Sequence, residues 1–209
     1  MIKNKKILRM YLDADKFALG VKRSFPIPFY DSIWIYQRIL RYYEYHKNVG
    51  NKLRKVIYGS LLFIHGKRLG FSISGNCFGP GLRINHYGLL IVNAKARIGK
   101  WCDIHQGVNI GENGSIDDND NVVSEVPIIR DYCFIGPGAK IFGCCNIGNS
   151  TRIGANAVIN KDVPTNHIAY GNPMKIVPNR KRNITIACKK TEEMFLRAYP
   201  QYKTLLETL

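Results

Sequence analysis

Isoleucine recurs at every sixth position along the second half of the chain. Six isoleucines follow one another at this spacing in a single frame: Ile129, Ile135, Ile141, Ile147, Ile153 and Ile159. The spacing also holds upstream, at Phe78 and Ile84 and then at Ile98, Ile104 and Ile110. A helix repeats every 3.6 residues and a strand every two, so neither element alone explains a period of six.

Each six-residue unit also carries a small or β-branched residue four positions after the large one, as at Cys102, Cys133, Cys145 and Ala157. One unit is therefore a short strand with a large and a small inward residue, followed by a turn. Three units close a coil of about 18 residues, and coils stack through parallel backbone hydrogen bonds. The three cysteines are expected to be core residues. The pattern resembles the hexapeptide-repeat proteins, which implies a mainly β fold, a left-handed parallel β-helix, over about residues 72–165.

Helical patterns flank this repeat. Residues 31–47 and 51–65 are amphipathic, with Asp31 and Asn51 as N-caps and Gly50 and Gly66 as stops. A short C-terminal helix is predicted over 191–207, interrupted by Pro200. We therefore divide the chain into a basic, aromatic-rich helical region (1–70), a β-helix domain (71–178) and a C-terminal tail with its helix (179–209).

The charge is strongly positive and unevenly distributed. The formal net charge is +16, and residues 1–70 contain 15 Lys or Arg against four Asp or Glu. Such a field attracts phosphate groups. Two arrangements of the front helices stay open: their rings and cations dock on an anionic membrane surface, or the rings pack on the end of the β-helix. No nucleic-acid-binding motif is present, so nucleic acid is not expected as a partner.

Other functional classes have little support in the residues. A zinc enzyme on such a scaffold would need three clustered histidines, and only His86 and His105 are close in the repeat, since His167 lies beyond the final coil. We therefore expect no metal. The chain lacks an apolar run of membrane-spanning length, and its N-terminus is too charged for a signal peptide, which favours a cytoplasmic protein, free or peripheral at the inner membrane face.

The repeat is interrupted at residues 111–127, which contain five acids and no Lys or Arg. A segment this polar is expected to project as a loop. It is either a solvated excursion or a flap that walls the active site of a neighbouring subunit, and the sequence favours neither.

A longer resemblance rests on the order of several segments: INHYGLLIV, ARIGKWCDIHQGVNIG, the acidic loop, an IGPGAK coil, an IGANAV coil and a closing GNPMK. From about residue 73 to 178 the chain resembles the serine acetyltransferase branch of the hexapeptide acyltransferases. The resemblance implies that His86 is the general base and that acetyl-coenzyme A lies in a groove between the subunits of a homotrimer. It implies that the backbone around five residues flanks pantetheine, namely Gly136, Gly138, Ala139, Gly154 and Ala155. It also implies that Lys175 and Arg180, the latter beside Lys181 and Arg182, lie near the nucleotide phosphates. We expect further contacts to this cosubstrate from His105, Gly111 and Glu112.

The chemistry of acetyl transfer fits a single histidine. A hydroxyl group that attacks a thioester must lose its proton, and a neutral imidazole is suited to accept it near neutral pH. Backbone N–H groups of Gly111 and Glu112 are candidates for stabilising the oxyanion. The group that orients the imidazole stays open between Asn85, Asp103 and Glu125.

Departures from the serine acetyltransferase pattern suggest a different acceptor. Asn85 replaces the acid that precedes the base, Phe71 replaces an upstream aspartate, and Glu125 and Val126 replace an Arg-His pair. A site for a zwitterionic amino acid needs countercharges, because an unpaired buried charge is costly. We therefore expect the acceptor to be a sugar hydroxyl of a surface polysaccharide or its precursor; the alternative is serine or another small amine or amino acid.

Overall fold

The computed structural model describes residues 1–116, 122–180 and 186–208. Three helices come first: α1 (Lys5–Ala18), α2 (Ser32–Asn48) and α3 (Lys52–Leu69). Strands β1 to β16 follow, and the chain ends in α4 (Lys189–Ala198), a 3₁₀ turn (Pro200–Tyr202) and α5 (Lys203–Glu207). The C-terminal helix is therefore broken at Pro200, as predicted.

The strands form the sides of a three-sided coil. The first sheet contains β1 (Phe71–Ile73), β3 (Leu90–Val92), β6 (Asn109–Gly111), β11 (Lys140–Phe142) and β14 (Val158–Ile159). The second contains β2 (Arg83–Ile84), β5 (Asp103–Ile104), β10 (Phe134–Ile135), β13 (Arg152–Ile153), β15 (His167–Tyr170) and β16 (Lys175–Pro178). The third contains β4 (Arg97–Ile98), β9 (Ile128–Ile129) and β12 (Asn146–Ile147). Neighbouring strands within these sheets are parallel, except that β16 pairs antiparallel with β15.

The isoleucine repeat builds three interior columns, one for each sheet. Successive coils place large residues directly on one another, as in Ile84 on Ile104 and Ile104 on Ile135. The six consecutive isoleucines are all buried. Cys102, Cys133 and Cys145 are buried as well, and burial raises the pKa of the Cys133 and Cys145 thiols to about 12. The predicted repeat and the core position of these cysteines are confirmed.

The acidic loop is an insertion at one corner of the coil. Ile98 in β4 is directly stacked on Ile129 in β9, so no coil is missing between them. The loop begins after β6 and includes an antiparallel hairpin of β7 (Asn113–Ile116) and β8 (Val122–Glu125). Residues 117–121 of the predicted loop lie outside the described part of the chain.

One helix boundary and one predicted cap differ from the prediction. Helix α3 runs through Gly66 and ends at Gly70, whose φ of 78° suits glycine. Gly66 is needed inside the helix because a Cβ there would lie 2.6 Å from the carbonyl oxygen of Phe71. Asp31 precedes α2 but makes no capping hydrogen bond; its carboxylate instead accepts from Arg23 and from the backbone N–H of Ile27.

The front helices pack on the β-helix through both apolar and charged groups. Tyr36 of α2 is buried, with its ring 5.0 Å from that of Phe71. Arg41, also buried, forms ion pairs with Asp15 of α1 and Glu44 of α2 at 2.8 and 2.9 Å. At least one ring of the aromatic-rich helical region, that of Tyr36, therefore packs against the β-helix. No described helix is both long and apolar enough to span a membrane.

Candidate active site

Two of the predicted residues meet at the corner where the second sheet ends. Strands β2 and β5 pair with Ile84 opposite Ile104, so the next residues, Asn85 and His105, stack on each other. The Asn85 amide nitrogen lies 3.0 Å from Nε2 of His105. His86 follows directly, and its ring centroid is 6.1 Å from that of His105. We call Asn85, His86 and His105 the histidine corner.

His86 projects because its turn is two residues longer than the turn stacked on it in the next coil. Eight positions separate Ile84 from Val92, whereas six separate Ile104 from Ile110. The extra length leaves His86 exposed, without a hydrogen-bond partner for its ring among the described residues. The turn is tied to the end of α3 by hydrogen bonds from Gly88 N–H to the Leu69 carbonyl and from Leu90 N–H to the Gly70 carbonyl, both at 2.9 Å. An exposed imidazole on a braced turn is suited to accept a proton from a substrate.

The state of His105 follows from its neighbours. The Asn85 amide nitrogen only donates hydrogen bonds, so Nε2 of His105 accepts and the ring proton is on Nδ1. Burial lowers the pKa of His105, and the Asp103 carboxylate partly opposes this effect. The ring is therefore favoured in its neutral form, in which it holds the Asn85 side chain beside His86.

A charged pair lies under the same corner. The Arg83 guanidinium contacts Asp103 at 3.1 Å, and the other carboxylate oxygen of Asp103, which has no hydrogen-bond partner in the described chain, lies 3.8 Å from Nε2 of His105. Asp103 was among the predicted candidates, but Arg83 was not. The signal was present, because Arg83 and Asp103 occupy the same repeat position in adjacent coils and carry opposite charges.

Aromatic and cationic groups extend the corner along the second sheet. The ring of Phe134 lies 4.9 Å from the His105 ring, and the Arg152 guanidinium lies 4.6 Å above Phe134. These residues stand opposite Asp103 in the following two coils. On this sheet, the Phe134 ring and then the Arg152 guanidinium therefore follow the histidine corner.

The predicted glycines follow one another at the same corner. Gly136 and Gly154 continue the column that begins at Asn85 and His105. A Cβ on Gly136 would lie 2.8 Å from the backbone nitrogen of Ala155, so close stacking of the coils already requires glycine there. Gly138 has φ of 75°, which also favours glycine. Their contact with a cosubstrate therefore remains a prediction.

Other predicted cosubstrate contacts differ in exposure. Ala139 is fully buried in the interior of the coil, so only its backbone could face a ligand. Ala155, Lys175 and Arg180 are exposed. The neighbouring Lys181 and Arg182 lie outside the described residues.

Three predicted residues lie at a different corner. Gly111 ends β6 and Glu125 ends β8, so both border the acidic loop between the first and third sheets, whereas the histidine corner joins the second sheet to the first. Between them, the Glu112 carboxylate accepts from the Asn93 amide at 3.3 Å. No contact among the described residues joins Gly111, Glu112 or Glu125 to His86. The described residues also include no cluster of three or more His, Cys, Asp or Glu arranged to hold a metal ion.

Curated relatives of the β-helix are serine acetyltransferases. The chain is 31% identical over 103 residues to the enzyme of Synechococcus elongatus and 32% identical over 103 residues to that of Mycobacterium tuberculosis. Each alignment covers 49% of this chain, but only 40% and 43% of those relatives. The chain thus spans less than half the length of these two proteins. No family model matches it.

Solved structures give the same result for the fold. Serine acetyltransferase from Brucella abortus superimposes with a TM-score of 0.60 at 25% identity, covering 83% of this chain and 68% of that one. The soybean apoenzyme superimposes with a TM-score of 0.66 at 24% identity, covering 83% and 70%. The predicted left-handed parallel β-helix with flanking helices is confirmed.

The comparisons correct the predicted acceptor. The curated relatives and the structural neighbours are serine acetyltransferases, which overturns the sugar-acceptor prediction and favours its alternative. The prediction was wrong because it sought countercharges only at positions aligned with the family pattern. The Arg83–Asp103 pair carries both signs of charge beside the histidines.

Proposed function

We propose that this chain transfers an acetyl group from acetyl-coenzyme A to the side-chain hydroxyl of serine, with His86 as general base. The observation that carries the proposal is the histidine corner, an exposed imidazole beside a neutral histidine and an ion pair. The support from relatives is that the curated proteins matching this part of the chain are serine acetyltransferases. One structural neighbour is a serine acetyltransferase in complex with CoA.

The proposed reaction needs one proton acceptor. The hydroxyl oxygen attacks the thioester carbonyl carbon while the neutral His86 ring takes the hydroxyl proton. The tetrahedral intermediate then collapses, the carbon–sulfur bond breaks, and the imidazolium returns the proton to the leaving thiolate. The products are O-acetylserine and free coenzyme A, without a covalent enzyme intermediate.

Arg83 and Asp103 suit an acceptor that carries both charges. The Arg83 guanidinium is partly exposed and offers donors for the serine carboxylate, while the buried Asp103 carboxylate places a negative charge close to the site of a nearby ammonium group. Asn85, held by His105, is a neutral hydrogen-bonding group beside the base. These groups would position the serine hydroxyl although Asn85 replaces the acid that precedes the base in the family pattern.

The remaining predicted residues are assigned to the cosubstrate and to a homotrimer. We expect pantetheine to follow the column of Gly136 and Gly154 past Gly138, Ala139 and Ala155, with the nucleotide phosphates near Lys175 and Arg180. Because Gly111, Glu112 and Glu125 lie at another corner, they would reach His86 from the neighbouring subunit.

The acceptor is tested by release of free thiol from acetyl-coenzyme A. The purified chain is incubated with serine, with threonine, with serine methyl ester and with simple hexoses as separate acceptors. Serine is expected to give the fastest release, and the ester to be slower because it lacks the carboxylate. Equal rates with serine and its ester, or faster release with a hexose, would contradict the proposal.

A further inference from the structure

The outward face of α3 is apolar and uncovered. Its exposed apolar residues are 37% to 73% accessible: Leu53, Val56, Ile57, Leu61, Phe63 and Ile64. Leu53, Ile57 and Ile64 project from one side of the helix, since they are separated by four and seven residues. An exposed stripe of this length marks an interaction surface rather than scattered apolar positions.

The opposite side of α3 packs against α2 and the β-helix. Tyr58, Leu62 and Leu69 pack in the core shared with α2 and the β-helix, and Gly66 lies against Phe71. The helix therefore has two apolar sides, of which the fold of the chain buries one. The outward stripe is available for another surface.

Charges around this stripe are all positive. Lys52, Arg54, Lys55, Lys67 and Arg68 are exposed on α3. Asp and Glu are absent from the sequence between Glu44 and Asp103. Four acids precede α3. Asp15 and Glu44 are buried against Arg41, Asp31 is paired with Arg23, and Asp13 lies beside Arg9 and accepts a hydrogen bond from Tyr202.

The stripe continues onto the loop before α2. Phe29 is 81% exposed and Tyr30 is 77% exposed. The Arg68 guanidinium lies 5.7 Å from the Phe29 ring, which joins the loop to the end of α3. Tyr87, next to His86, lines the same groove as Phe29 and Tyr30.

We infer that α3 and the loop around Phe29 dock on an anionic lipid surface. Apolar side chains would enter the boundary between headgroups and acyl chains, while the flanking cations pair with lipid phosphates. A second copy of the same face is disfavoured, because it would bring cations together without acids to pair them. Charge complementarity thus selects anionic lipid. The inference does not depend on the proposed acetyl transfer.

The test is co-flotation of the full chain with vesicles of phosphatidylcholine, with and without phosphatidylglycerol. The wild type is expected to float with the anionic vesicles, and less so as salt is raised. The double variant Ile57→Glu/Ile64→Glu is expected to lose at least about tenfold in vesicle partitioning. Met194→Glu, an equally drastic change at an exposed site on α4, is the matched control and is expected to float like the wild type.

A second variant separates charge from apolar insertion. Lys52→Gln/Lys67→Gln alters no apolar residue and is expected to weaken flotation and reduce its salt dependence. Circular dichroism spectra of all variants should match the wild type, since the altered side chains are exposed. Failure of the wild type to float with anionic vesicles, equal binding to neutral ones, or normal flotation of the Ile57/Ile64 variant would overturn the inference. Light scattering tests the alternative occupant of the stripe. If the wild type does not float and the Ile57→Glu/Ile64→Glu variant forms a smaller oligomer than the wild type, the stripe binds a second copy of the chain and not lipid.

Discussion

His105 lies between groups that act on its protonation in opposite directions. Burial lowers its pKa, the nearby His86 and Arg83 lower it further, and only Asp103 raises it. The pKa of His105 is lowered in the folded chain from its ordinary value of 6.5. Between the lowered pKa and pH 6.5, the unfolded chain therefore binds more protons than the folded chain. The stability linked to this ring is therefore fully present above that pH and is lost as the pH falls through the lowered pKa.

The opposing effect of Asp103 leads to a measurable prediction. Asp103→Asn is expected to lower the pKa of His105 further, because it removes the carboxylate that favours the imidazolium. The pKa is read from the imidazole resonances in a pH titration by NMR, assigned with His105→Gln. Asp162→Asn, which removes an exposed carboxylate elsewhere on the coil, is expected to leave the titration unchanged. A raised pKa in Asp103→Asn would contradict this account of the corner.

At the scale of the element, adjacent isoleucines in β9 have opposite environments. Ile129 is 2% exposed and occupies an interior column, whereas Ile128 is 40% exposed on the outside. The two residues share a strand, so their comparison isolates burial from strand propensity.

Truncation of the two residues should give different losses of stability. Ile129→Ala is expected to cost about 2 to 5 kcal/mol, since it removes buried methyl groups and leaves a cavity. Ile128→Ala is expected to cost less than about 1 kcal/mol. Denaturant unfolding followed by circular dichroism gives both values. Equal losses would show that the six-residue repeat does not define the core.

The six-residue repeat predicted the coil, whereas one amphipathic helix was missed. The isoleucine repeat predicted the coil because each large residue fills an interior column, whatever lies at the corners. Helix α1 was not predicted, although Asn4 caps it by accepting from the Ile7 N–H. The signal was also present in the spacing, because the buried residues Leu8, Tyr11 and Ala18 lie on one side of a helix. Only the partners of that side, such as Trp101 and Phe195, are distant in sequence.

The site residues were predicted only in part. His86 and Asn85 were identified from a resemblance, and their contact with His105 follows from strand register. The missing countercharge, Arg83, required the knowledge that residues 20 positions apart stack in adjacent coils. The position of the loop residues relative to His86 depends on neighbouring subunits, which one chain does not define.

At the scale of the whole molecule, one buried arginine joins the helical region to the coil. Arg41 pairs with Asp15 and Glu44, and it donates to the carbonyls of Phe78 and Gly79 at 3.0 and 2.7 Å. Asp15 in turn accepts from the backbone N–H groups of Gly81 and Leu82, just before β2. Removing the guanidinium would leave buried carboxylates without their countercharge.

Arg41→Met is accordingly expected to cost about 3 to 5 kcal/mol of stability. Arg9 also pairs with an acid of α1, Asp13, but at the longer distance of 3.9 Å and with an exposed side chain, so Arg9→Met should cost less than about 1 kcal/mol. Thermal unfolding midpoints of the two variants compare the losses. An unchanged midpoint for Arg41→Met would show that the helices are held to the coil by apolar contacts alone.

The central claim is that the imidazole of His86 accepts the proton of the attacking hydroxyl. The direct test is the turnover of serine and acetyl-coenzyme A by the wild type, by His86→Ala and by His167→Ala, whose altered histidine is remote from the histidine corner in the repeat. His86→Ala is expected to lose about 10²- to 10⁴-fold in turnover while acetyl-coenzyme A still binds, and His167→Ala to keep the wild-type rate. Unchanged turnover in His86→Ala would contradict the claim.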